Sequence, residues 1–185
     1  SAPLRNVLER AVAGALTTEG GALVLYYTLF GKAVGDVLGA QFPGRGLVQT
    51  ADFGAVRVEV DPETLTLKPE TAREVVELGK TATVPAISGD GKWIIYGCFG
   101  QDLGGPPAPD LDLCMARRES TADLWGGVRH MSELSTPNND NEAAFWDDAA
   151  GVPARILFVA SSLVTGSSDV CAAGFDPLAA TMDHT

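Results

Sequence analysis

Hydrophobic residues in this chain concentrate in short runs, each preceded by polar turn residues. "TEGGALVLYYTLFG" occupies residues 18–31, "ISGDGKWIIYGCFG" residues 87–100, and a looser copy, "DDAAGVPARILFVASS", residues 147–162. Runs of aromatic and branched side chains bounded by Gly, Ser and Asp predict strands that are entered through tight turns. Tyr27, Tyr96 and Phe158 occupy equivalent positions, so the sequence repeats with a period of roughly 60 to 70 residues.

Each copy is followed by a second segment with strand character. In "GAVRVEV", Val56, Val58 and Val60 alternate with two charged residues, which is typical of a half-buried strand. The second segments of the other copies, "DLDLCMARR" and "SDVCAAGF", place Cys114 and Cys171 at equivalent positions. Further strands are predicted at residues 73–79 and 126–134, and the next units open at residues 83–88 and 141–146.

Four short strands in a meander are the pattern of a β-propeller blade. The predicted fold class is therefore all-β: one domain over residues 1–185, with four-stranded antiparallel blades at approximately 14–80, 81–135 and 141–180. The opening stretch, "PLRNVLERAVAGAL", fits either a short helix or an edge strand.

Three blades are too few for a closed ring, because propellers typically have four to eight. We expect a second protein chain, or self-association of this chain, to complete the ring, since an open array leaves strand edges unpaired. The alternatives are further blades in the divergent N-terminal third and a different β fold.

The composition of the chain argues against some classes of partner. The chain has 185 residues and a net charge of −11, so it repels phosphate backbones and nucleic acid is not an expected partner. No apolar run approaches the roughly 20 residues that span a bilayer, so no membrane span is expected. The chain begins at Ser1 without a visible signal peptide, and we expect a periplasmic or secreted protein whose signal has been removed.

The middle of the chain resembles the WD40-like (PD40, TolB-type) β-propeller repeat. The matching positions run from Pro85 to Trp146, and the flanking thirds match only in outline. They are Pro85, Ser88, Asp90, Gly91, Tyr96, Asp112, Arg117, Arg118, Trp125, Gly126, Leu134, Asn138 and Glu142. The resemblance implies a propeller but no particular function, since propellers of this type have many roles. Within the motif, we expect Gly91 to take a positive φ and Asp90 to accept backbone N–H bonds in the turn.

Candidate catalytic residues are scarce. The histidines are His130, in a predicted outer strand, and His184, next to the last residue, and no Gly-x-Ser-x-Gly elbow occurs. No catalytic residue is assigned.

Oxygen ligands suited to Ca²⁺ lie in three stretches of the sequence: Asp110 with Asp112, residues 138–142, and Asp147 with Asp148. Asp110, Asp112, Asp140 and Glu142 are the candidate metal ligands, and the alternative for the Asn/Asp run is a solvated turn. No other cofactor is predicted.

Candidate binding residues are Arg117, Arg118 and Trp125, which would contact an acidic partner or form part of a glycan or peptide platform. The alternative for the arginines is an ion-paired strand edge. Trp125 and Trp146 are expected to pack between blades.

The odd number of cysteines leaves at least one thiol without a partner in the chain. A Cys114–Cys171 disulfide is not expected, because equivalent positions on stacked sheets lie about 10 Å apart. Small buried side chains are the expected role, and Cys98 is the candidate if one thiol is reactive.

These observations predict an exported TolB/WD40-like propeller that acts as a protein- or glycan-binding scaffold. The alternative is one subunit of a multi-chain propeller enzyme, a hydrolase or oxidoreductase, that shares catalytic groups or a cofactor with its partner.

Overall fold

The computed structural model describes residues 11–30, 53–79, 81–99, 103, 111–134, 139–147, 150, 152–161, 168–176 and 181–184. These residues form three four-stranded antiparallel sheets, each a meander of consecutive strands. The predicted fold class, all-β with propeller blades, is confirmed. Within the described ranges, helical structure is limited to short 3-10 turns such as Val76–Leu78.

The first sheet contains β1 (Ala11–Glu19), β2 (Ala22–Phe30), β3 (Phe53–Val60) and β4 (Leu67–Glu74). Residues 11–16 are therefore strand, not helix. The fourth strand lies earlier than the predicted 73–79, because Asp61 organises a tight turn. Its Oδ1 accepts the backbone N–H groups of Glu63 and Thr64, and β4 begins directly after this turn.

The second sheet contains β5 (Thr83–Ile87), β6 (Trp93–Cys98), β7 (Asp112–Arg117) and β8 (Gly126–His130). The β5–β6 turn has the expected chemistry: Gly91 has a φ of +70°, and Asp90 Oδ1 accepts the N–H of Lys92 at 3.0 Å. Ser88 closes the turn, since its Oγ accepts the N–H of Trp93 at 3.0 Å.

The third sheet contains β9 (Asn139–Asp147), β10 (Pro153–Ser161), β11 (Ser168–Asp176) and β12 (Thr181–His184). The first strand of the second sheet, β5, contacts both β1 and β9. The first strands of the three sheets are thus neighbours, and the sheets radiate from them as propeller blades do.

The sheets pack face to face, and the second sheet is buried on both sides. Ile94, Tyr96 and Cys98 point toward the first sheet. Trp93 and Ile95, between them in sequence, point toward the third sheet. This alternation explains why every residue of β6 is buried.

Among the residues that the structure describes, no helix is long and apolar enough to cross a membrane.

Candidate functional site

A polar cleft opens where the β1–β2 hairpin of the first sheet meets the loop between β7 and β8 of the second. Its volume is about 270 Å³. Its walls combine charged side chains from both sheets with loop residues: Glu19, Gly20, Arg57, Arg73, Arg118, Thr121, Ala122, Asp123 and Leu124. The cleft is the best candidate site among the described residues, because it collects charged groups from separate blades.

Arg118 forms the floor of the cleft and connects the two sheets. Its Nε donates to the carbonyl oxygen of Gly91 at 2.7 Å, and its Nη1 donates to Glu19 Oε1 at 2.6 Å. The guanidinium lies over the Trp125 ring, 4.0 Å from the centroid. The side chain is 2% exposed, and Nη2 has no hydrogen-bond partner among the described residues.

Glu19 is the anion at the centre of the site. Its carboxylate also accepts the Tyr26 hydroxyl at 2.7 Å and Arg57 Nε at 2.9 Å. Burial alone would raise the pKa of Glu19, but the hydrogen bonds from Tyr26, Arg118 and Arg57 and the charge of Arg118 outweigh it and lower the pKa below its usual value. Glu19 is therefore ionised at neutral pH.

Tyr26 and Trp125 complete this network. The Trp125 indole N–H donates to the Tyr26 hydroxyl at 3.1 Å, and the two rings meet edge to face. Burial and the hydrogen bond to Glu19 raise the pKa of Tyr26 to about 12. The hydroxyl therefore stays protonated and accepts one hydrogen bond while donating another.

The rim of the cleft is more exposed. Arg57 and Arg73 lie opposite each other on β3 and β4, and each has a carboxylate nearby that offsets the repulsion. Arg73 pairs with Glu77 at 3.0 Å, and Asp123 accepts the N–H of Ser120 at 2.9 Å. The site thus offers fixed donors and acceptors to a ligand.

Two of the three predicted binding residues, Arg118 and Trp125, come together in this site. Arg117 points to the other face of the sheet, where it pairs with Glu119 and lies 6.0 Å from the Trp93 ring centroid. Trp125 is buried between blades, as expected. The same expectation for Trp146 is wrong, because Trp146 is 61% exposed on β9.

The sequence analysis missed Glu19, Tyr26 and Arg57. All three lie in the first unit: Glu19 at the β1–β2 turn, Tyr26 on β2 and Arg57 on β3. The alternation of Arg57 and Glu59 with valines was the available signal, since it placed charged side chains on one face of β3.

The described candidate metal ligands do not form a group of three or more that could hold a metal ion. Asp112 pairs with His130, with Oδ2 and Nε2 2.9 Å apart. Asp140 is buried, and Glu142 is exposed with a φ of +51°. Asp110 lies outside the described residues, and among the described ones no group of three or more His, Cys, Asp or Glu is placed to hold a metal ion. The calcium site stays a prediction.

Cys98 and Cys114 form a disulfide, with their Cα atoms 5.8 Å apart, and Cys171 is the free cysteine. The expectation of a reactive Cys98 thiol is therefore wrong. In the β6–β7 register Tyr96 lies opposite Cys114 and Cys98 opposite Asp112, so the two cysteines are diagonal neighbours on one face.

No protein-family model matches the sequence, and no curated protein matches it. Solved structures do resemble it. An α-L-arabinofuranosidase from Lactobacillus brevis is 11% identical with a TM-score of 0.54, over 95% of this chain and 55% of that one. A Trypanosoma rangeli sialidase in complex with sialic acid is 9% identical with a TM-score of 0.50, over 94% of this chain and 30% of that one.

The β-propeller domain of the trilobed protease from Pyrococcus furiosus, described as an open velcro topology, is 13% identical with a TM-score of 0.47, over 94% of this chain and 41% of that one. The chain spans about half or less of the length of these structures. At these identities the likeness to the arabinofuranosidase and the sialidase supports the fold alone.

Proposed function

We propose that this chain is a propeller module that binds a protein or glycan ligand in the cleft between its first and second sheets. One observation carries the proposal: charged side chains of two blades line an open cleft of about 270 Å³, over the buried Arg118. A ligand with carboxylate or hydroxyl groups fits such walls, because guanidinium groups donate several hydrogen bonds in fixed directions.

The geometry favours binding over catalysis. A general acid or base needs a pKa near the working pH, whereas the pKa of Glu19 is lowered and its oxygens accept hydrogen bonds from three side chains. His130 lies on β8 and does not line the cleft.

The repeat is proposed to be of the TolB/WD40-like type. The turn at Ser88, Asp90 and Gly91 supports this, since all three residues have the roles that the motif requires of them. Arg118 and Trp125, also motif positions, hold one blade against the next.

The proposed setting is the periplasm or the outside of the cell. The Cys98–Cys114 disulfide supports it, because disulfides persist mainly in oxidising compartments. A partner chain or a second copy is proposed to complete the ring, since the three sheets formed by the described residues do not close one.

Screening the full chain on glycan and acidic-peptide arrays tests for ligands, and calorimetric titration then measures the affinity of each ligand found. Arg73→Gln removes a hydrogen-bond donor from the rim of the cleft. It should raise the ligand dissociation constant about tenfold, which is the typical contribution of one charge-assisted hydrogen bond. Arg129→Gln is the matched control. Both arginines pair with a glutamate four residues later and are similarly exposed, 33% and 34%, but Arg129 does not line the cleft.

Equal weakening by Arg73→Gln and Arg129→Gln would count against the cleft as the binding site. The absence of any array ligand for the wild-type chain would count against the binding function itself.

A further inference from the structure

The third sheet has an apolar face turned away from the second sheet, which we call the outer face. It is formed by alternate residues of β9, β10 and β11: Ala144, Trp146, Leu157, Val159, Val170 and Ala172. Trp146 is 61% exposed and Val170 is 78% exposed. The other face of the same sheet, which includes Phe158 and Phe175, packs on the second sheet.

Comparison with the equivalent residues of the second sheet indicates what kind of partner the outer face is suited to. Aligning Phe158 with Tyr96 and Cys171 with Cys114 makes Leu157 equivalent to Ile95, Val170 to Leu113 and Ala172 to Met115. Those three residues of the second sheet are fully buried, because the third sheet covers them. The outer face therefore continues an established sheet-on-sheet interface by one step and is suited to another sheet.

The first sheet of a second copy offers less exposed apolar surface to the outer face. Its face directed away from the second sheet includes Tyr27, Val56 and Val58, and all three are already buried. The third sheet, by contrast, presents its apolar side chains to solvent.

We propose that the outer face binds the outer face of a second copy of this chain, in a two-fold symmetric dimer. A two-fold contact uses the same patch on both partners and is the commonest arrangement in homo-oligomers. Arg155 and Asp176 lie on this face and carry opposite charges, so each can pair with the other residue of a second copy. The two-fold contact pairs third sheet with third sheet and does not itself close the ring, so the proposal goes beyond the proposed function and is independent of the cleft.

The charge of the whole chain makes the contact salt-dependent. Two copies with a net charge of −11 each repel one another at long range, while the contact itself is apolar. Added salt screens the repulsion, so the dimer should be tighter at physiological ionic strength than at low ionic strength.

Sedimentation equilibrium of the full chain, at several concentrations and two salt concentrations, tests the proposal. The expected mass is twice 19.3 kDa at high concentration. Val170→Asp should raise the dimer dissociation constant at least about tenfold, because it buries a carboxylate in an apolar contact. Val76→Asp, a control at another exposed valine, in the 3-10 turn that follows β4, should change the dissociation constant less than about twofold.

Two further variants distinguish the outcomes. Trp146→Ser should dissociate the dimer as Val170→Asp does, which guards against a folding defect peculiar to one variant. Leu16→Asp, on the outward side of β1, should have no effect.

A monomer of 19.3 kDa at every concentration, or a dimer that only Leu16→Asp dissociates, would overturn the proposal. Ligand binding by a monomeric Val170→Asp variant would show that the cleft functions without the dimer. Loss of ligand binding in an Arg73→Gln variant that is still dimeric would show that the dimer forms without a functional cleft.

Discussion

The contact between the first and second sheets differs in kind from the contact between the second and third. The first contact combines apolar side chains with the ion pair between Glu19 and Arg118 and the hydrogen bond between Trp125 and Tyr26. The second contact consists mainly of apolar side chains, with Trp93 and Phe175 edge to face at 5.1 Å, and the hydrogen bond across it from the Gly89 N–H to Asp147 Oδ2, at 2.7 Å, involves no ion pair.

The difference shows two ways of joining similar blades. Apolar packing is tolerant of partner and angle, whereas a buried, hydrogen-bonded ion pair requires particular atoms at particular positions. The cleft lies at the contact between the first and second sheets, which depends on particular polar atoms. The outer face continues the mainly apolar packing between the second and third sheets.

Removing Glu19 should break the first contact. Glu19→Ala leaves the buried Arg118 without its counter-ion and should lower the free energy of unfolding by about 3–5 kcal/mol. Urea unfolding followed by circular dichroism measures this. Glu119→Ala removes an exposed partner of Arg117 and should cost less than about 1 kcal/mol. Similar losses in the two variants would show that the Glu19–Arg118 pair is not what specifies this contact.

Removing the disulfide should weaken the sheet that takes part in both contacts. The cysteines are 16 residues apart, and replacing both Cys98 and Cys114 with serine should cost about 3 kcal/mol by the loop-closure model. Urea unfolding again provides the measurement, with Cys171→Ser as the control that leaves the disulfide intact. A double variant as stable as Cys171→Ser would contradict the expectation.

Acid should weaken the first contact selectively. The pKa of Glu19 is lowered in the folded state, so its stabilisation is present above the ordinary value of 4.5 and is lost as the pH falls below it. Glu19→Gln should be less stable than wild type at neutral pH, and the gap should narrow on acidification. Thermal unfolding from about pH 7 to about pH 3 measures the gap. A gap that stays constant would mean that Glu19 does not contribute through its charge.

A small apolar change should affect the second contact at any pH. Ile156 is fully buried there, and Ile156→Val should cost about 0.5–1.5 kcal/mol by loss of one methylene group. Thermal unfolding over the same pH range should show a constant difference from wild type. If the stability difference between Ile156→Val and wild type changed with pH as that of Glu19→Gln does, the two contacts would not differ in the way described.

The repeat was readable from the sequence because its signals are local. The turn at Ser88 and Asp90 and the alternation of Val56 and Val58 depend on residues close together in the chain. The three sheets followed from these signals. The fourth strand of the first sheet did not, because a turn organised by Asp61 moved it earlier.

The site was only half predictable, because its pairing is non-local. Arg118 and Trp125 are motif positions, but Glu19 reaches Arg118 across 99 positions of sequence. The Cys98–Cys114 disulfide needed the strand register, which composition and spacing do not supply. Trp146 was assigned to an interior contact because tryptophan is usually buried, and no sequence signal indicated that the third sheet has an open face.

The separation between Glu19 and Arg118 also has a consequence for synthesis. A ribosome releases the first sheet's Glu19, Tyr26 and Arg57 well before Arg118 and Trp125 leave the exit tunnel, because chains emerge from the N-terminus. Until then the nascent first sheet presents a carboxylate, a tyrosine and an apolar surface with nothing to cover them. The contact between the first and second sheets can therefore form only after Arg118 and Trp125 have emerged.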